Sequence, residues 1–228
     1  MTTSIDERAQ RARSTSIAVC DAGVGNVRSV VRALERAATQ ASISVAVTLT
    51  RDLHALADAT VVVVPGQGSF GTFARAVEGG IGDTLRSRLE AGRPYLGICL
   101  GMQVLFEASE EAPEARGLGF FAGAVRRLAP GVDDATGKTA PLPHIGWNVA
   151  APERTTLLPR AHYYFAHSYA AAPDDATIVA ATTTYGASTF PCAVARGNVL
   201  GVQFHPEKSQ NAGMTLLGHW LASVTTTR

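Results

Sequence analysis

Two apolar periods alternate along the first half of the chain. Residues 16–21 (SIAVCD) are a short apolar run and predict a strand. The turn Gly23-Val24-Gly25-Asn26 follows. Val27, Val30, Val31, Leu34, Ala37 and Ala38 then recur at helical spacing and predict one apolar helix face. Residues 44–49 predict a second strand, and Asp52 is placed to cap a short helix through Ala57. Four valines run together at 61–64 and end at Pro65. A β-branched run without alternation fits a strand buried on both faces, as in a parallel sheet. Residues 83–91 predict a helix stopped by Gly92, with Pro94 just beyond. Residues 94–98 predict a strand and 100–108 a helix.

The second half is punctuated by Gly and Pro into short strands at 120–128, 145–150, 163–170, 177–184, 190–195 and 198–204. Met214, Leu217, Trp220 and Leu221 mark a final amphipathic helix. The expected class is α/β: an open, doubly wound, mixed and mostly parallel sheet with flanking helices and an antiparallel portion. We read residues 16–226 as one domain and residues 1–15 as a disordered polar tail. In such sheets, sites form at the carboxyl ends of the strands.

Composition narrows the class of activity. The 228 residues are 46% hydrophobic and 17% charged, which excludes a disordered chain. Twenty Lys+Arg against 19 Asp+Glu leave +1, so the balance points to no nucleic-acid or polyacid surface. Cys20, Cys99 and Cys192 are too scattered for a disulfide framework, and none has zinc spacing, so no metal or cofactor is expected. No apolar run reaches the ~20 residues of a membrane span, and residues 1–16 lack the apolar core of a secretory signal. A cytoplasmic, reducing setting is the expectation.

The chemistry concentrates in Gly97-Ile98-Cys99-Leu100-Gly101. This G-x-C-x-G run is the thiol counterpart of a nucleophile elbow, where a strand turns sharply into a helix with one residue at the apex. Gly97 and Gly101 remove side chains that would collide with neighbouring backbone. The apex lies over a helix N-terminus, whose unpaired N–H groups favour thiolate. The Leu100 N–H is placed to face an oxyanion. The alternative is a buried structural cysteine between packing glycines.

A nucleophilic thiol needs a base, and the base an orienting group. Of six histidines, His54 and His219 fall on predicted helices and read as surface or packing residues. A predicted strand delivers His205 at its carboxyl end, Pro206 fixes the turn, and Glu207 follows at i+2, on the same side in extended structure. His162 and His167, at odd spacing on one strand, point to opposite faces and do not read as metal ligands. The chain order Cys, His, Glu argues against an α/β-hydrolase.

Gly-Ile-Cys-Leu-Gly-Met-Gln at 97–103 with Phe-His-Pro-Glu at 204–207 resembles the class I (triad) glutamine amidotransferases. Pro-His-Ile-Gly-Trp-Asn at 143–148, Tyr-Phe-Ala-His-Ser-Tyr at 164–169 and residues 201–209 (GVQFHPEKS) are similar to the glutaminase subunits of imidazole glycerol phosphate synthase. Two positions depart from the usual pattern: Ala22, where Asp-Tyr-Gly is common, and Gln67, where Pro-Gly-Val-Gly is common. The resemblance implies hydrolysis of L-glutamine by Cys99, His205 and Glu207. It also implies an oxyanion hole at Leu100 and Gly68, and substrate contacts at Gly66, Gln103, His167, Ser168 and Tyr169. A (β/α)8-barrel cyclase subunit is the implied partner, docking near Asn26, Trp147, Asn148 and Lys208. At this point other readings stay open: a glutaminase serving pyridoxal phosphate, chorismate or purine synthesis, a free-standing γ-glutamyl peptidase, or a catalytically silent regulatory homologue.

Overall fold

The four valines at 61–64 are fully sealed from solvent, and they lie inside a nine-stranded sheet. The computed structural model describes residues 14–23, 27–133 and 137–225. The elements run β1 (Thr15–Cys20), α1 (Val27–Gln40), β2 (Val45–Thr50), α2 (Leu53–Asp58), β3 (Val61–Gly66), α3 (Phe70–Val77), α4 (Gly80–Glu90), β4 (Tyr95–Cys99) and α5 (Leu100–Gln103). Then come β5 (Ala108–Ser109), β6 (Gly123–Arg127), β7 (Val132–Asp133), β8 (Lys138–Thr139), β9 (His144–Pro152), β10 (Ala161–His167) and β11 (Tyr169–Pro173). The chain closes with β12 (Val179–Tyr185), β13 (Ser188–Arg196), β14 (Val199–Val202) and α6 (Gln210–Thr225).

The main sheet has the order β10-β9-β12-β13-β14-β4-β3-β1-β2. Strands β2, β1, β3, β4 and β14 pair in parallel. From β14 through β13, β12 and β9 to β10, every pairing is antiparallel. The sheet is therefore mixed, with helices on both faces of its parallel half, as expected. Period-two alternation sorts the valines between two cores. Val61 and Val63 join Ile17 and Val19 beneath α1 and α6. Val62 and Val64 join Ala18, Leu56, Phe73 and Leu85 beneath α2, α3 and α4. The predicted helix faces supply the covering: Val30, Leu34 and Ala37 from α1, and Leu217, Trp220 and Leu221 from α6. Each large side chain so buried is worth ~1.5–3 kcal/mol relative to exposure. Asp52 caps α2 as predicted, its Oδ1 accepting from the Ala55 N–H at 2.8 Å.

Two local readings are corrected, and one helix is added. The helix expected over 100–108 stops after one turn at Gln103. Val104, Leu105 and Phe106 are all fully buried, which three consecutive helical positions on one amphipathic face do not allow. Their carbonyls are taken instead by the N–H groups of Leu118, Phe121 and Gly119. The strand expected over 163–170 breaks at Ser168, whose carbonyl accepts from Leu128 N–H at 2.9 Å. β10 stays in the main sheet, while β11 enters a three-stranded sheet ordered β11-β6-β5. Helix α3 was missed by the apolar pattern; Ser69 caps it through the Thr72 N–H.

Candidate active site

β4 runs into α5 through Cys99, whose backbone stands at φ +54° and ψ −109°. A side-chain-bearing residue rarely occupies positive φ, and doing so costs about 1–3 kcal/mol. The neighbours enforce it. A Cβ at 97 would overlap the Gly101 carbonyl oxygen, and one at 101 would overlap that of Val64. The buried Tyr95 hydroxyl donates to the Gly101 carbonyl at 2.8 Å and braces the turn from below. Across the β3–β4 ladder, Gly66 stands opposite Cys99. Gly68, two residues on, has φ +96° with open space beside it.

β14 brings the imidazole to the same sheet edge. The His205 N–H donates to the Tyr164 carbonyl at 2.9 Å, and the Ser209 hydroxyl donates to the His205 carbonyl at 2.6 Å. Pro206 opens a single 3-10 turn, Pro206–Lys208, which swings Glu207 back toward the ring. His205 Nδ1 and Glu207 Oε1 are 2.9 Å apart, with side chains only 3% and 1% exposed. Burial alone would lower the His205 pKa. Hydrogen bonds to the Cys99 and Glu207 side chains, with their charges, outweigh burial and raise it from 6.5 to about 9. Both side chains favour the protonated ring.

Two glutamines extend the site. Gln203 Nε2 donates to Cys99 Sγ at 3.6 Å, and Gln103 Nε2 donates at 3.0 Å both to Gln203 Oε1 and to the Tyr169 carbonyl. Gln103 Oε1 is buried and has no protein partner. Above these groups lies a cavity of about 350 Å³. Gly68, Cys99, Leu100, Gln103 and His205 line it, and so do His167, Ser168 and Tyr169. Gly66 and Glu207 do not line it.

Glu111, which sequence reasoning missed, also lines the cavity. Its Oε2 accepts from the Phe70 N–H at the start of α3, at 2.6 Å. Nothing in its local pattern marks it, because the contact is long-range.

The expected docking residues divide. Trp147 is 47% exposed and packs edge-on to Tyr164 at 6.1 Å, while Lys208 Nζ lies 5.6 Å from the same ring. Lys208 also reaches the cavity. Asn148 is half-buried and donates its amide to the Thr184 carbonyl at 2.8 Å. Asn26 lies outside the described residues. His54 and His219 are exposed, while His162 and His167 face opposite sides of β10. Among the described residues, no helix is long and apolar enough to cross a membrane.

A family model for glutamine amidotransferase class-I matches residues 18–221. The imidazole glycerol phosphate synthase subunit HisH of Methylococcus capsulatus is 42% identical over 214 residues, covering 91% of this chain and 96% of that protein. That of Symbiobacterium thermophilum is 40% identical over 210 residues, covering 90% and 92%. Among solved structures, a glutamine amidotransferase superposes with a TM-score of 0.67 at 24% identity, covering 92% of this chain and 98% of that one. PurLQS from Thermotoga maritima gives 0.67 at 20% identity, covering 93% and 98%. The fold, the elbow and these likenesses converge: the chain belongs to the class-I glutamine amidotransferases and, among them, to the HisH subunits of imidazole glycerol phosphate synthase.

Proposed function

We propose that the chain hydrolyses L-glutamine and passes the ammonia to a (β/α)8-barrel cyclase subunit, which makes imidazole glycerol phosphate and aminoimidazole carboxamide ribotide in histidine biosynthesis. The observation that carries the chemistry is that Cys99 and His205 line one cavity while the buried Glu207 carboxylate holds the His205 ring at 2.9 Å. Cys99 thiolate attacks the γ-carboxamide carbon. The new oxyanion is met by the N–H groups of Leu100 and Gly68, each such donor being worth about 10²–10³ in rate. His205 gives its proton to the leaving nitrogen, ammonia departs, and a thioester remains. Neutral His205 then takes a proton from water, whose oxygen attacks the thioester carbonyl. The tetrahedral adduct collapses, the C–S bond breaks, and glutamate leaves with its acid proton passing to solvent, so that the Cys99 thiolate beside protonated His205 is restored. Glu207 fixes the ring and balances its charge.

The unpartnered Gln103 Oε1 and the Glu111 carboxylate are acceptors for the substrate's ammonium group, and the wall at 167–169 supplies backbone contacts. Free ammonia would be protonated in bulk water, so the cavity needs a covered exit. Exposed Trp147 with Lys208 at the cavity mouth supports docking there. The setting is cytoplasmic.

The test is ammonia release with and without the cyclase subunit and its ligand. Low turnover alone and strong stimulation in the complex are expected. High turnover of the isolated chain would overturn activation by the partner, and no heterodimer at micromolar concentration on size exclusion would overturn the partner.

A further inference from the structure

Beside the cavity, where β9 pairs with β10, two histidines meet. His144 is 2% and His167 6% exposed, and they face each other across the register His167↔His144. His144 Nδ1 lies 3.2 Å from His167 Nε2, His167 Nδ1 lies 2.8 Å from the Tyr169 carbonyl, and Asn148 Nδ2 lies 3.4 Å from His144 Nε2.

These contacts admit one order of donors and acceptors. The Tyr169 carbonyl only accepts, so His167 carries its proton on Nδ1. A neutral His167 then accepts at Nε2, and His144 must donate from Nδ1. His144 accepts at Nε2 from the Asn148 amide, whose other hydrogen goes to the Thr184 carbonyl. A second proton on either ring would set two donors face to face. Burial holds both rings neutral, lowering the His144 pKa to about 4 and that of His167 to about 3. Phe165 and Tyr185 stack on the two sides of His144, with centroids at 4.8 and 4.0 Å, and fix its plane.

We propose that His144 is a positioning residue for glutamine binding, acting through His167 to hold the Tyr169 carbonyl and, with it, the Ser168–Tyr169 wall and Gln103. The Tyr169 carbonyl is the shared point, since it accepts from both His167 and Gln103. His144 itself does not line the cavity, so it touches no substrate. The inference rests on the glutaminase reading for its kinetic effect and is independent of that reading for its tautomers.

Two experiments test it. Long-range ¹H–¹⁵N NMR of the ¹⁵N-labelled chain should find both rings neutral at pH 6.5 and both protonated on Nδ1, the minor form of free imidazole side chains. An Nε2–H His144, or a charged ring, overturns the proposal without reference to glutamine. In the complex with the cyclase subunit, His144→Phe keeps the stacking and removes the donor. It should raise the KM for glutamine about tenfold with kcat within about twofold. His144→Asn, which restores a donor near the Nδ1 position, should recover most of that loss. An unchanged KM in a folded His144→Phe, or equal losses in both variants, overturns it. Absence of ammonia release from the wild-type complex would instead remove the glutaminase reading, leaving the tautomer result to stand or fall alone.

Discussion

His205 Nδ1 lies 2.9 Å from Glu207 Oε1, inside protein and away from water. Against the lowering effect of burial, the Cys99 side chain and this pairing together raise the His205 pKa from 6.5 to about 9. A group whose pKa rises on folding contributes stability that is complete below the unfolded value. That contribution is therefore full below about pH 6.5 and fades as pH climbs through about 9. Glu207→Gln should lower the His205 pKa and flatten this dependence, read by ring-proton NMR titration and by urea midpoints at acidic and alkaline pH. It should also cut kcat by about 10⁴-fold, as loss of a triad orienter does.

In the proposed mechanism Cys99 is the nucleophile, and its backbone is the strained apex of the elbow. Cys99→Ala should abolish glutamine hydrolysis, by about 10⁴-fold or more, while keeping the strain. Cys99→Gly should be equally inactive but about 1 kcal/mol more stable than Cys99→Ala, because glycine accepts positive φ. Urea denaturation of the two variants reads the difference. Equal midpoints would mean that the turn stores no strain.

Two glycines should respond oppositely to the same substitution. Gly101→Ala drives a methyl into the Val64 carbonyl and should prevent folding or cost more than about 3 kcal/mol. Gly68→Ala meets open space at φ +96°. It should cost about 1 kcal/mol of stability, with kcat falling further than the melting temperature suggests. Soluble yield, urea midpoints and stimulated ammonia release separate the two.

The parallel core and the elbow were legible because their signals are local. Four adjacent valines need burial on two faces, and Gly97 and Gly101 flank a position that only tight backbone contact explains. His205 and Glu207 were legible for the same reason, being two residues apart after a strand. The break at Ser168 was not, since strand propensity continues through it and only the change of sheet ends β10. Glu111 and His144 were illegible in another way. Their roles depend on Phe70, His167 and Asn148, partners that the fold brings from other segments.

Trp147→Ala should weaken association with the cyclase subunit at least tenfold, as loss of a central aromatic anchor does. The indole is 47% exposed in the isolated chain, so the variant's own stability should change by less than about 0.5 kcal/mol. Titration calorimetry against the partner, paired with thermal melts of the free chain, checks both halves. Undiminished affinity would move the interface away from β9.

The backbone angle at Cys99 has an evolutionary consequence. A duplicate gene freed from making ammonia would keep the backbone cost of an L-residue at that apex and lose the chemical return on it. Among residues that cannot act as a nucleophile, glycine would then suit the apex better than alanine. The letter at position 99 thus serves as a record of whether a lineage is still under selection for chemistry.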